Sequence, residues 1–177
     1  LNEDEFRSFM LLLIVAGNEA TRTMTSQGMR LLMEHPEQYR MMVEDPTLIP
    51  DAVEEILRFN PAVINFRRTV TQPTEVGGQA LAAGDKVVMF YQAASRDEAV
   101  FEDPFDYRID REPNRQIAFG YGAHVCLGQH LARMEMRILW EELLPHLKSI
   151  ELAGEPKRTI SNFVCGPKHV PIRFTLN

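Results

Sequence analysis

Phe119 to Gly128 reads FGYGAHVCLG. One cysteine, Cys126, sits behind a glycine-rich stretch and ahead of a helical pattern. Leu127, Leu131, Met134 and Ile138 recur at i, i+4, i+7 and i+11, which makes one apolar stripe along a helix. A cysteine just before a helix start feels the positive end of the helix dipole, and that favours the thiolate. Gly120 and Gly122 let the backbone bend sharply, so that N–H groups could point at the sulfur. A thiolate held in this way suits a soft or borderline metal such as haem iron.

These residues resemble the haem-binding signature of the cytochromes P450: Phe, two residues, Gly, a spacer with His or Arg, Cys, one residue, Gly. Phe119, Gly122, His124, Cys126 and Gly128 all match. Five such positions coincide by chance on the order of once per million windows. Two further stretches, in the family's order along the chain, strengthen the resemblance.

Bulk properties narrow the classes. A chain of 177 residues fits one domain or part of one, and 45% apolar content supports a real core. A net charge of −6 without any basic run argues against a nucleic-acid partner. Two cysteines, with no CxxC or Cys/His spacing, support neither a zinc site nor a disulfide framework. A reducing, cytoplasmic compartment is the default. The run Phe9 to Ala16 is too short for a membrane span. No signal peptide is visible, and the opening Leu1 suggests a fragment without its true N-terminus.

Asn2 and Glu5 read as a capping box. Phe6 to Ala16 is apolar on every side, the mark of a helix buried within a larger protein. AGNEATR follows, from Ala16 to Arg22. Ala16-Gly17 either opens space for a ligand or admits a close-packed neighbour, and the stretch alone does not choose. Ala16, Gly17 and Glu19 match the P450 distal-helix pattern, Ala/Gly-Gly-x-Asp/Glu-Thr, but Ala20 occupies the threonine position and Thr21 comes one place later. The resemblance implies that an acid–alcohol pair here delivers protons to the reacting oxygen, with Glu19 and Thr21 as the candidates. A methyl group cannot relay a proton, and Thr21 lies about 100° further round the helix.

A helix is expected over Pro36 to Glu44, and another after Pro50 that ends before Pro61. In the latter, both Glu54 and Glu55 can reach Arg58 at i+4 and i+3 spacing, which by itself reads as a solvated ion pair. The resemblance selects Glu55 and Arg58, the P450 E-x-x-R motif. It implies a third partner in Arg111, with Arg108 the less favoured candidate, in a buried structural network. Pro61 to Val70 reads as extended, and Thr69 to Tyr91 as a small antiparallel sheet with turns at Gly77-Gly78 and Gly84. The resemblance implies that Val63 and Ile64 line a substrate pocket and that Arg68 contacts a haem propionate. Ser95-Arg96-Asp97 resembles the family's Asn-Arg-Asp. A long helix ends near Pro145, and short strands follow at Lys148 to Leu152 and His169 to Thr175. Between them, Ser161-Asn162-Phe163 and Gly166-Pro167-Lys168 resemble the terminal hairpin of bacterial P450s that act on sterols, terpenoids and long aliphatic chains. Phe163 and Val164 would then reach the pocket beside Ala16, Gly17 and Ala20.

The expectation is a mainly helical α+β chain, residues 1–177 forming the C-terminal half of one P450 domain. Its parts are a long distal helix, the E-x-x-R helix, a small antiparallel sheet, the cysteine loop and a proximal helix. The implied cofactor is haem b (iron protoporphyrin IX), with Cys126 as the axial ligand, Phe119 shielding the sulfur, Gly120 and Gly128 shaping the loop, and His124 with Arg68 on the propionates. The implied activity is insertion of one oxygen atom of O2 into an apolar small molecule, with electrons from a ferredoxin and its NAD(P)H reductase. The alternatives are a peroxide-using or non-oxygenating haem-thiolate protein, or an inactive fragment.

Overall fold

Asn2 opens the first helix in the computed structural model of the chain, which describes residues 1–177. Its side chain accepts the Glu5 N–H at 2.9 Å, and the Glu5 carboxylate accepts the Asn2 N–H at 2.8 Å, a complete capping box. From there α1 runs unbroken over Glu3–Glu34. Pro36 starts α2 (Pro36–Glu44), and Asp45 caps a short 3-10 turn by accepting the Thr47 N–H at 3.0 Å. α3 (Ile49–Phe59) follows directly.

The chain then becomes extended. β1 (Asn65–Thr69) pairs antiparallel with β4 (Lys86–Phe90), and β2 (Thr74–Val76) with β3 (Gln79–Leu81). Gly77 and Gly78 make the tight turn of that second hairpin, both with positive φ. After the short α4 (Tyr91–Ala94), an irregular loop leads to α5 (Gln129–Leu143). The chain ends in β5 (Leu147–Leu152), β6 (Lys157–Arg158), β7 (Pro167–His169) and β8 (Ile172–Leu176), paired as β5 with β8 and β6 with β7. The class is mainly helical α+β, as the sequence implies.

One apolar core joins the C-terminal half of α1 to α2, α3 and α5, through Leu31, Leu32, Met42, Ile56, Ile109, Met136 and Trp140. Phe6 to Ala16 is exposed along its whole length, because no other element of these residues packs against it; the buried part of α1 begins at Thr23. The α5 stripe faces outward: Leu127 is 81% and Leu131 53% exposed, whereas Met136 and Trp140 are 1% exposed. Met136 and Trp140 sit at i, i+4 on the face turned to the core, and the larger indole claims the contact. The Thr69 to Tyr91 segment forms two separate two-stranded ladders rather than one sheet, and its partner strand β1 begins earlier, at Asn65. The last strand also starts later than expected. Pro171 has no N–H to give a ladder, so His169 ends β7 and β8 begins at Ile172.

The terminal hairpin is seated on α1 through a glycine. A Cβ at Gly166 would lie 2.4 Å from Cγ2 and 2.9 Å from Oγ1 of the buried Thr23. Thr23 is short and branched and cannot swing away. Gly166→Ala is therefore expected to destabilise by about 1–3 kcal/mol, the usual cost of overpacking, and to lower the thermal midpoint. Adding Thr23→Ala should recover most of that loss, and calorimetry of the two variants checks it.

Candidate functional site

The cysteine loop is built by two left-handed glycines. Gly120 (φ 75°) and Gly122 (φ 71°) take backbone conformations that side chains disfavour. They fold the chain back so that the Cys126 N–H donates to the Phe119 carbonyl at 2.9 Å. A Cβ on Gly120 would also come within 3.3 Å of the Tyr91 hydroxyl. Gly122 to His124 makes one 3-10 turn, and the Gln129 N–H reaches the Cys126 carbonyl at 3.3 Å as α5 begins. No side chain caps α5, so its positive end is unmatched within the chain close to the cysteine. Cys126 is exposed and makes no disulfide. His124 is exposed beside it, and Phe119 is half-buried against the core. Arg68 is exposed on β1, where its side chain donates to the Arg67 carbonyl at 3.1 Å.

This donor set fits a haem. The chain has no cluster of three or more His, Cys, Asp or Glu that could hold a metal ion unaided. A lone thiolate of this kind suits a metal that brings its other ligands with it, as a macrocycle does. Exposed Val125 and Leu127 flank the sulfur with apolar surface, and the exposed Arg68 guanidinium and His124 imidazole offer N–H donors that suit carboxylates.

On α1, Ala16 and Gly17 are exposed, and a Cβ added to Gly17 would meet nothing within 4 Å. Ala20 and Thr21 are half-buried. Glu19 accepts from the Arg22 guanidinium at 2.6 Å, with the two side chains 51% and 70% exposed. The helix is regular through Gly17, so Thr21 keeps its angular offset from Ala20.

Two segments far apart in sequence meet at the hairpin tip. Val63 bridges Val164, the Ile64 N–H donates to the Phe163 carbonyl at 2.8 Å, and the Cys165 N–H donates to Ala62 at 3.0 Å. The rings of Phe66 and Phe163 meet edge to face with centroids 5.3 Å apart.

Beneath the loop lies a buried ionic network. Glu55 and Arg58 are fully buried and joined by two bonds of 2.7 Å. Arg58 also donates to the carbonyls of Ser95, Pro104 and Asp106. Arg111 lies 3.3 Å from Glu55 and donates to the carbonyls of Glu102, Asp103 and Asp106. The Arg108 backbone N–H and the Asn114 amide complete the carboxylate's shell at 3.0 and 3.1 Å. Arg108 thus contributes its main chain, while its guanidinium turns to Asp110. Burial pushes the Tyr107 hydroxyl well above the usual tyrosine range, and the negative charge of Glu55 adds to this. Burial, and then the charge of Arg58, lowers Arg96, which stacks on Phe59 and donates to its carbonyl.

Sequence reasoning left Glu54 without a partner of its own. It holds Arg133 of α5 and Gln116 of the loop instead of Arg58. The signal was present: Arg133 sits three residues before Met136 and seven before Trp140, on the core-facing side of α5, where a charge needs a partner.

The family model for cytochrome P450 matches residues 1–174. Cytochrome P450-terp of a Pseudomonas species is 45% identical over 175 residues, covering 99% of this chain and 41% of that protein. A steroid C26-monooxygenase of Mycolicibacterium smegmatis is 42% identical over 178 residues, covering 99% of this chain and 44% of that protein. The crystal structure of substrate-free CYP109E1 from Bacillus megaterium superposes with a TM-score of 0.95 at 36% identity, covering all of this chain and 46% of that one. The chain thus spans less than half the length of these relatives.

Removing the charge on Glu55 should leave Arg58 and Arg111 buried without their anion. Glu55→Gln is expected to cost roughly 3–5 kcal/mol and to lower the yield of folded protein. A denaturant titration against the wild type measures it; an unchanged midpoint would mean that the pair behaves as a solvated one.

Proposed function

The chain belongs to the cytochrome P450 family, and from that premise we propose that the whole protein is a haem-thiolate monooxygenase. The observation that carries this reading is the exposed Cys126 in its double-glycine loop, its N–H tied to Phe119, just ahead of an uncapped helix start. In this reading residues 1–177 are the C-terminal half of one domain that binds haem b between α1 and the loop. Haem, when bound, supplies the activation of O2 and the transfer of one oxygen atom. The balance is substrate C–H, O2, two electrons and two protons giving C–OH and water. The electrons come from a ferredoxin and its NAD(P)H reductase, in the cytoplasm.

The chain's own residues bind and orient. Cys126 offers the thiolate, and Phe119 keeps water from it. His124 and Arg68 hold the propionates. Gly128 lets the chain pass from the loop into α5. Gly17, with open space beside it, leaves room on α1. Val63, Ile64, Phe163 and Val164 form one wall, held together by main-chain bonds, and in this reading Ala16 with Ala20 forms the facing one. Such an apolar lining suits a sterol, a terpenoid or a long aliphatic chain; the resemblance of the terminal hairpin and the steroid relative support that class.

Proton supply falls to Glu19. Its bond to Arg22 is exposed, and such pairs are worth about 0.2–1 kcal/mol, so the carboxylate can release Arg22 and hold an ordered water beside the Ala20 methyl. Thr21 lies off that line on a regular helix. A second reading is use of peroxide, favoured by Ala20 itself, because peroxide arrives already reduced and carries its own protons.

Two tests follow from these roles. In the haem-loaded protein, Cys126→Ala should abolish the absorption band that thiolate ligation gives with carbon monoxide, while Cys165→Ala should keep it; the opposite pattern would refute the ligand assignment. Glu19→Gln should slow NADH-driven product formation at least tenfold, while Thr21→Val changes it less than twofold and Ala20→Thr keeps or improves coupling. Measuring NADH consumed, peroxide released and product formed decides between the relay on Glu19, a relay on Thr21 and the peroxide route.

A further inference from the structure

Glu54 stands next to the buried Glu55 but serves different partners. Its carboxylate accepts from Nε of Arg133 at 2.5 Å, from Nη2 of Arg133 at 3.1 Å and from the Gln116 amide at 2.8 Å. Gln116 turns its own carbonyl to the Ala118 N–H at 2.6 Å. Arg133 also donates to Gln129, one turn back along α5, at 3.0 Å. Held in this way, its guanidinium lies over the Phe119 ring, 4.5 Å from the centroid. The Phe119 carbonyl accepts the Cys126 N–H. A single carboxylate therefore grips the loop twice, once at Gln116 and once through Arg133 and Phe119. Both charges are about two-thirds shielded from solvent, with Glu54 27% and Arg133 31% exposed.

We propose, building on the haem-thiolate reading, that Glu54 and Arg133 are a charge-neutral positioning pair that sets the electrostatic surroundings of the Cys126 sulfur. Two opposite charges in contact present a small net field at a distance, whereas either one alone presents a full charge. Phe119 links that charge to the cysteine, with its ring under the guanidinium and its carbonyl on the Cys126 N–H, and the low exposure of both charges limits how far solvent screens them. The pair thus fixes the ring of Phe119 without biasing the thiolate toward either oxidation level of the group it ligates. Neither residue touches the reacting atoms; both act through Phe119.

The reduction potential of the haem-loaded protein tests this, because loosening and charge predict different signs. Wild type, Glu54→Gln, Arg133→Gln and the double variant are compared by spectroelectrochemical titration, with the carbon monoxide band and the thermal midpoint recorded for each. Glu54→Gln leaves a lone cation and is expected to shift the potential upward. Arg133→Gln leaves a lone anion and is expected to shift it downward. The double variant should return close to the wild type, even though all three melt at lower temperature. Arg133→Lys, which keeps the charge and loses the planar stack, should hold the potential near the wild type. Single-variant shifts of the same sign, or no shift, would mean that the pair only braces the loop and would overturn the proposal. So would an Arg133→Lys shift as large as that of Arg133→Gln. A wild type without the thiolate band would overturn the haem reading itself and this proposal with it, so the two failures are told apart by the first spectrum.

Discussion

A carboxylate without access to water must find its whole solvation shell in the protein, and Glu55 is that carboxylate here. Meeting this demand organises the longest irregular stretch of the chain. Arg58 and Arg111 bring the compensating charge, and each then has N–H groups left over. Those groups take the main-chain carbonyls of Ser95, Glu102, Asp103, Pro104 and Asp106, which have no helix or strand partner. The loop ahead of the cysteine is ordered by side chains of a helix and of the loop itself, rather than by a ladder of its own. A loop held by charge-assisted bonds has few alternative arrangements, because moving any carbonyl strands a buried donor.

The neighbouring Glu54 illustrates how one helix position changes the outcome. Glu54 and Glu55 point about 100° apart on α3. Glu55 faces the interior, where its loss leaves buried cations. Glu54 faces the seam between α3 and α5, where part of its shell is water. The first holds the fold together, while the second ties two helices to Phe119 and Gln116 and so reaches the cysteine loop from its other side.

α1 changes character along its length. Its first turns carry exposed apolar side chains and end at Gly17, beside open space; its later turns enter the core at Thr23 and Met24. Glu19, Ala20 and Thr21 lie at this transition, Ala20 and Thr21 half-buried and Glu19 exposed with Arg22 as its partner. The terminal hairpin is anchored nearby by contact of Gly166 with Thr23, and it carries Phe163 and Val164 to Val63 and Ile64. The candidate walls therefore rest on backbone pairing and on one glycine contact.

Much of this was legible in the sequence, where local chemistry suffices. The capping box at Asn2 and Glu5, the bounds of α2, the glycine turn of β2 and β3 and the short cysteine loop all follow from residues a few positions apart, and the family from motifs of ten residues or fewer. Burial was not legible, because it depends on what lies across the gap. The helical period located an apolar stripe from Leu127 to Ile138 yet could not say that the Met136–Trp140 face would meet α3. An i, i+3 pair of Glu55 and Arg58 reads the same on a wheel whether solvated or buried. Glu54 could have served Arg58 equally well by spacing, and only the approach of α5 gave it Arg133. Short-range order is set by dihedral preferences and neighbouring side chains, which the sequence by itself determines. The pairing of charges and the choice of buried face are set by contacts 50 to 80 residues apart along the chain: the family motif implied the one from Glu55 to Arg111, whereas only the tertiary structure decides the one from Glu54 to Arg133.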